Sequence, residues 1–315
     1  MAWSFFRSSV PKSASSAPAG GSNGGPWHAR LEESGLQAIT VSNELLGLEG
    51  RAALVTGAGQ GAGRGIAFQL ARAGAHVAIC DLAGEAAESV ADEVRSLGVN
   101  AVAIEADVRD EVAVASMIQE ARSVFGSLDV LVNNVGNYGG HAPAPITEID
   151  WDFWQTAIDL NLRSTFLCSQ AFARSRLESE EGGAIVNIAS LSGVRASPNK
   201  APYGAVKAGV IQLTQTLALE LAPRGIRVNC VAPTGIEGPS LLAAASEASI
   251  AAMRESIPLG ELCTAERLGD CVLMLASRLA RYVTGQVVMC DGGASVTTRR
   301  ASIPLGEGQR TGLEY

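Results

Sequence analysis

Lysine is almost absent from this chain. Of 24 basic residues in 315, only Lys12, Lys200 and Lys207 are lysines, which leaves few candidates for any chemistry that needs a primary amine. Positive charge is in deficit as well. The 24 basic residues face 32 acidic ones, and the net charge of −8 argues against nucleic acid or an anionic membrane as a main partner. No apolar run reaches the ~20 residues that a membrane-spanning helix requires. Paired cysteine motifs are missing too. Cys80, Cys168, Cys230, Cys263, Cys271 and Cys290 are scattered, with no Cys-x-x-Cys among them. They read as reduced, structural thiols in a reducing, cytoplasmic compartment, with no metal site expected. Acidic residues are lacking before Glu32, and residues 8–26 are rich in Ser, Ala, Gly and Pro. Residues 1–46 therefore read as a flexible N-terminal extension. Its Arg7, Lys12 and Arg30 leave organellar import open as the alternative address.

Apolar residues make up 47% of the chain, ample for a core. Short apolar runs near 51–56, 75–81, 100–106, 128–133, 183–189, 226–232 and 285–290 alternate with helical stretches. That alternation predicts an α/β fold: a single doubly wound domain over 47–296. Its sheet should have seven parallel strands and helices on both faces. Leu128-Asp129-Val130-Leu131-Val132 illustrates the continuous apolar strands of a sheet covered on both sides. Residues 297–315 are left as a C-terminal tail.

The first predicted strand, Arg51 to Thr56, runs into Gly57, Gly59, Gly61, Gly63 and Gly65, and then into a helical segment, Ile66 to Ala71. Glycines let a phosphate approach the backbone, and the helix N-terminus then offers it unpaired N–H groups. The second predicted strand ends at Asp81, eighteen residues after Gly63, where a carboxylate is expected to bind the adenosine ribose hydroxyls.

Tyr203 and Lys207 are four residues apart and share a helix face, with Ser190 thirteen residues before the tyrosine. A phenol and an ammonium side by side form an acid/base unit, in which the ammonium should pull the phenol below its usual pKa of ~10. A hydroxyl from a neighbouring strand end would fix a carbonyl or alcohol oxygen against the phenol.

Thr56-Gly57-Ala58-Gly59-Gln60-Gly61-Ala62-Gly63 resembles the Thr-Gly-x-x-x-Gly-x-Gly cofactor motif of the short-chain dehydrogenase/reductase family. Further resemblances follow in family order at Asp107-Val108, Asn133-Asn134-Val135-Gly136, Asn161, Ile185 to Ser190, and Tyr203 to Lys207. Thr284-Gly285-Gln286 and Asp291-Gly292-Gly293 resemble the closing motifs, so the likeness covers about residues 48–295. One stretch departs: the family's Pro-Gly-x-x-x-Thr is here Pro233-Thr234-Gly235-Ile236-Glu237-Gly238.

The resemblance implies a Rossmann-like domain that transfers hydride between a nicotinamide and a carbinol carbon of a small, largely apolar alcohol or ketone. It implies Tyr203 as general acid/base and Lys207 as its partner. Ser190 would stabilise the reacting oxygen, and Asn161 would hold a water linking Lys207 to solvent. It assigns cofactor contacts to Gly57, Gly59, Gln60, Gly61, Ala62, Gly63, Asp81, Leu82, Asp107, Val108, Asn134, Gly136, Tyr203 and Lys207. Pro233, Thr234 and Ile236 would contact the nicotinamide end. Asp81, with Gln60 and Leu82 where relatives that use a phosphorylated dinucleotide place basic residues, points to NAD. An NADPH-dependent ketoreductase and a non-catalytic dinucleotide-binding protein are the alternatives. The substrate wall would come from Asn137 to His141, Leu191 to Pro202 and Ile236 to Pro258, with Leu241 to Ala245 as an apolar helical lid. His141 and Arg195 would be mainly solvated. Long helices around 151–178 and 201–222 imply a homotetramer or homodimer.

Overall fold

The structure is a computed structural model and describes residues 43–238, 241–242 and 245–297. The rest of the expected N-terminal extension, the tail beyond Thr297, and Ala243 and Ala244 of the expected lid lie outside the described residues. Seven strands form one sheet: β1 Ala52–Thr56, β2 His76–Asp81, β3 Ala101–Glu105, β4 Val130–Asn133, β5 Gly183–Ile188, β6 Ile226–Pro233 and β7 Val287–Cys290. The order is β3-β2-β1-β4-β5-β6-β7, and every pairing is parallel. The expected doubly wound sheet is thus present, with strand ends within a few residues of the predicted runs.

The helices are α1 Gly61–Arg72, α2 Gly84–Arg95, α3 Glu111–Phe125, α4 Trp151–Ala157, α5 Ser164–Glu178, α6 Ala201–Leu221, α7 Glu247–Glu255 and α8 Ala265–Ala276. Local chemistry sets several boundaries. At the start of α3 the Asp110 carboxylate accepts the Ala113 N–H, and Gly126 ends the helix with φ 79°. Along β1, side chains alternate between faces. Ala53 and Val55 pack with Ile66, Leu70, Val90 and Leu268 of α1, α2 and α8. Ala52 and Leu54 pack with Met117, Phe172 and Leu221 of α3, α5 and α6. This period-two split explains why the strands read as unbroken apolar runs.

The edge strand β7 is only half-buried. Cys290 is accordingly only partly buried, because no strand among the described residues pairs beyond β7. Cys80 and Cys230, on inner strands, are fully buried.

At the amino edge of the sheet an ionic cluster is buried. Arg176, 3% exposed, lies 3.5 Å from Asp129, donates to the Leu128 carbonyl at 3.0 Å and pairs with Glu181. Asp129 also accepts from Arg51 and from the Ala52 N–H, each at 3.0 Å. Removing Asp129 leaves Arg176 with the more exposed Glu181 as its carboxylate and takes the acceptor from the buried Ala52 N–H. Asp129→Ala should cost about 1–3 kcal/mol, read as a lower midpoint in urea denaturation. An unchanged midpoint would contradict this account of the cluster.

Candidate active site

The strand order reverses between β1 and β4, and a cleft of about 480 Å³ opens at the carboxyl ends of β1 to β4. Ligands of doubly wound sheets bind at such switch points, and the volume suits a small-molecule site. Helix α1 aims its N-terminus into the cleft, lined here by Gln60, Gly61, Ala62 and Gly63. The N-cap residue Gln60 makes no side-chain capping bond, so the first-turn N–H groups remain available to an anion. Gly63 is required by close packing. A Cβ there would lie 2.1 Å from the Gly57 carbonyl oxygen and 2.7 Å from Asn134 Nδ2.

Thr56 and Asn134 staple the point where β1 and β4 diverge. Asn134 donates through Nδ2 to the Thr56 and Gly57 carbonyls at 2.9 and 3.1 Å, and its N–H donates to Thr56 Oγ1 at 3.0 Å. The Asn134 side chain thus braces the glycine turn whose Gly57 lines the cleft. Gly59 sits behind that wall and donates its N–H to Asp81 Oδ2 at 2.9 Å, while Asp81 Oδ1 accepts the Ala83 N–H. Asp81, Leu82, Asp107 and Val108 line the far side. Arg109, which the sequence reading passed over, grips Asp107 with two nitrogens and holds its carboxyl below the usual range.

Ile236 lines the cleft, but Pro233 and Thr234 do not. Pro233 pairs with Cys290 of β7, and the Thr234 N–H donates to the Cys290 carbonyl at 3.3 Å. Ile236 forms a parallel bridge with Cys263, and the Glu237 N–H donates to the Cys263 carbonyl at 2.7 Å. The departure from the family pattern is therefore accommodated by backbone ladders on both sides of the loop.

None of the four predicted acid/base residues lines the cleft itself; Lys207 and Asn161 lie behind Gly136, which does. Lys207 is 1% exposed; its Nζ donates to the Ile188 carbonyl at 2.9 Å and lies 5.6 Å from the Tyr203 ring centroid. Ser190 follows β5, accepts the Ser192 N–H at 3.1 Å, and lies near Tyr203. Asn161 is fully buried; its Nδ2 donates to the Asn137 and Ala157 carbonyls, each at 3.0 Å, while its Oδ1 has no partner. Gly136 joins this cluster to the cleft it lines. A Cβ there would lie 2.5 Å from both Asn161 Oδ1 and Lys207 Nζ.

One electrostatic expectation is corrected. Lys207 does not pull the phenol down. Burial pushes Tyr203 well above its ordinary value, Tyr138 adds in the same sense, and the nearby Ser190 hydroxyl opposes both. The ammonium is engaged elsewhere, on the Ile188 carbonyl, and burial lowers its own pKa to about 8.

The expected long helix over 151–178 is interrupted. Ile158–Arg163 form a π-helical turn between α4 and α5, with Asn161 inside it. Thr165 Oγ1 takes up the Asn161 carbonyl at 2.7 Å, and Ser164 Oγ that of Leu160. Such turns recur at functional sites because the extra residue redirects a side chain. Tyr138, within a predicted wall segment, packs its ring 4.6 Å from that of Tyr203. His141 is stacked on Phe153 at 4.8 Å and lies 3.4 Å from Asp152, and Arg195 donates to the Ala294 carbonyl. Neither side chain is simply solvated, as the sequence had suggested. Leu241 lines the cleft at the start of the expected lid. A second concavity, between α3 and α5, carries none of the residues singled out from the sequence.

A family model described as Enoyl-(Acyl carrier protein) reductase matches residues 57–295. The 3-oxoacyl-(acyl-carrier-protein) reductase FabG of Staphylococcus aureus is 43% identical over 245 residues, 77% of this chain and 97% of that protein. The cis-4-hydroxycyclohexanecarboxylate dehydrogenase of Sinomonas cyclohexanicum is 39% identical over 244 residues, 77% of this chain and 96% of that one. Among solved structures, a 7α-hydroxysteroid dehydrogenase complexed with NADH and 7-oxo glycochenodeoxycholic acid is similar, with TM-score 0.76 and 32% identity. That match covers 80% of this chain and 97% of the other. The chain belongs to the short-chain dehydrogenase/reductase family. It is an oxidoreductase of the alcohol–ketone type that uses a nicotinamide dinucleotide.

Lys207 gives the site a pH signature. Between about pH 8 and the unfolded-state value near ~10.4, the unfolded chain holds a proton that the folded chain has lost, so stability rises with pH. Below about pH 8 both states are protonated, and the burial penalty is constant. Measured against Lys207→Met, the wild type should gain stability across that window and gain no more above it. Parallel curves for the two proteins would refute the lowered pKa.

Proposed function

We propose that this chain is an NAD(H)-dependent oxidoreductase that interconverts a secondary alcohol and a ketone, with Tyr203 as general acid/base. The observation that carries the reading is the junction at Gly136, where Lys207 and Asn161 meet the cleft headed by α1. Residues 47–296 act as one catalytic domain. Gly57 to Gly63 and the α1 N-terminus suit the pyrophosphate, Asp81 the adenosine ribose, and Asp107 and Val108 the adenine. Asn134, Gly136, Lys207 and Ile236 suit the nicotinamide end. The bound dinucleotide supplies the two-electron redox chemistry.

In reduction, Tyr203, kept protonated by burial, gives its proton to the ketone oxygen while Ser190 donates a hydrogen bond to that oxygen. Lys207, with a pKa of about 8, is suited to resupply the phenol. The unpaired Asn161 Oδ1 near it is free to accept a hydrogen bond from a water that would link the ammonium to solvent. Oxidation of an alcohol runs the same transfers backwards.

NAD is favoured over NADP by charge. Asp81, Asp107 and Glu237 line the cleft against one cation, Arg109, which Asp107 already holds. A 2′-phosphate would meet an excess of carboxylate. Tyr138 beside Tyr203, with Leu241, favours a largely apolar substrate. The 43% identity to the Staphylococcus aureus protein supports a second reading, in which the ketone is a 3-oxoacyl group. We further propose assembly as a homodimer or homotetramer and a cytoplasmic, reducing location.

A screen of secondary alcohols with NAD+ and of 3-oxoacyl thioesters with NADH, read by absorbance, separates the two substrate readings. Tyr203→Phe should lower kcat/KM by about 10²–10⁴ while NADH affinity is kept. Turnover at the wild-type rate would sink the acid/base assignment. NAD should be preferred over NADP in kcat/KM by about tenfold or more, ~1.4 kcal/mol, and Asp81→Ala should narrow the gap. A preference for NADP in the wild type overturns this part.

A further inference from the structure

Three of the six cysteines, all between positions 263 and 290, converge behind the cofactor loop. Cys263 Sγ and Cys290 Sγ are 3.6 Å apart, and Cys271 on α8 lies near Cys290. The sequence reading treats all six as inert. That suits Cys80, Cys168 and Cys230, which are buried and held as thiols, with burial pushing Cys168 to about 12 and Cys230 to about 11. The cluster differs in its contacts, since Cys263, although only 8% exposed, touches a second thiol. The hydrogen bond from Cys290 draws the Cys263 thiol below its ordinary value, with burial opposing and Arg267 assisting. Cys290, pushed up to about 12 by the same contact, is half-buried and reachable.

The backbones of these same two residues carry the loop that follows β6. The Thr234 N–H hangs from the Cys290 carbonyl, and the Glu237 N–H from the Cys263 carbonyl. The segment between is slung from both cysteines, and its Ile236 and Glu237 line the cleft.

We propose that Cys263 and Cys290 are an oxidisable thiol pair, which hydrogen peroxide converts to an intrachain disulfide that displaces the loop lining the dinucleotide cleft. The Cys263 thiolate attacks the peroxide, so that an S–O bond forms, the O–O bond breaks and the first water leaves. Cys290 Sγ then attacks Cys263 Sγ, so that the S–S bond forms, the S–O bond breaks and the second water leaves. Two thiols lose two electrons and two protons, and the peroxide takes them up as water. A disulfide is about 2.05 Å long, so the sulfurs must close by roughly 1.5 Å, and both anchor points of the loop move with them. The consequence for cofactor affinity rests on the dinucleotide reading above.

The test treats reduced, full-length protein with hydrogen peroxide, blocks remaining thiols and maps tryptic peptides without reduction. Cleavage after Arg267 separates Cys263 from Cys271, so the partners are distinguishable. A 263–290 cross-link should form in wild type and in C271S, be missing in C290S, and disappear on treatment with dithiothreitol. The NADH dissociation constant of the cross-linked protein should rise about tenfold or more, because displacements near 1 Å have large effects at such sites. Absence of the 263–290 peptide, or a 263–271 peptide in its place, overturns the proposal. So does an unchanged or tighter NADH dissociation constant in protein shown to be cross-linked. Failure of the reduced protein to bind NADH would instead sink the cofactor reading, while the peptide map still decides the thiol pair.

Discussion

The hydrogen bond from Lys207 to the Ile188 carbonyl is the contact around which the rest of the site is arranged. It fixes a nearly inaccessible ammonium against the end of β5, at the carboxyl edge of the sheet. Among the described residues its hydrogen-bond acceptor is that carbonyl, and neighbouring elements close around the ammonium by packing. The turn after β5 packs so closely on α6 that a Cβ at Gly193 would lie 2.6 Å from the Lys207 backbone. The π-helical turn brings Asn161 to the other side, and Gly136 is squeezed between the two side chains. Three loops and one helix are thereby locked to a single cation, and the cleft inherits its geometry from that lock.

Burial moves the acid/base pair toward neutrality on both sides. The phenol is raised and the ammonium lowered from nearly equal ordinary values, so the two pKa values move apart. A neutral phenol beside a lysine that titrates near pH 8 is suited to giving up a proton and being resupplied, the direction that ketone reduction needs. Alcohol oxidation would need the phenolate, which this environment penalises by desolvation.

The loop after β6 shows how an altered motif is absorbed. Threonine stands where the family pattern has glycine after the proline, yet the backbone is caught on both sides, by β7 and by the segment before α8. Main-chain bonds supply what the motif's side chains do not specify. The same arrangement draws two sulfurs together, so a feature that anchors the loop also exposes it to oxidation chemistry.

Much of this was legible in the sequence, because local rules act over short spans. Glycines between an apolar strand and a helix, a carboxylate ending the next strand, and Tyr203 and Lys207 on one helical face were each readable. So was the doubly wound sheet, since unbroken apolar strands alternating with helices admit few other packings. Tertiary structure alone decided the rest. Whether the ammonium faces the phenol or a carbonyl depends on where β5 ends relative to α6. The π-helical turn at Asn161 leaves no periodicity to read in a segment that is helical on both sides. Tyr138 meets Tyr203, and Cys263 meets Cys290, across 65 and 27 residues of chain. Desolvation has the same origin: it depends on every atom that excludes water from a group, and those atoms come from elements that only the folded chain assembles.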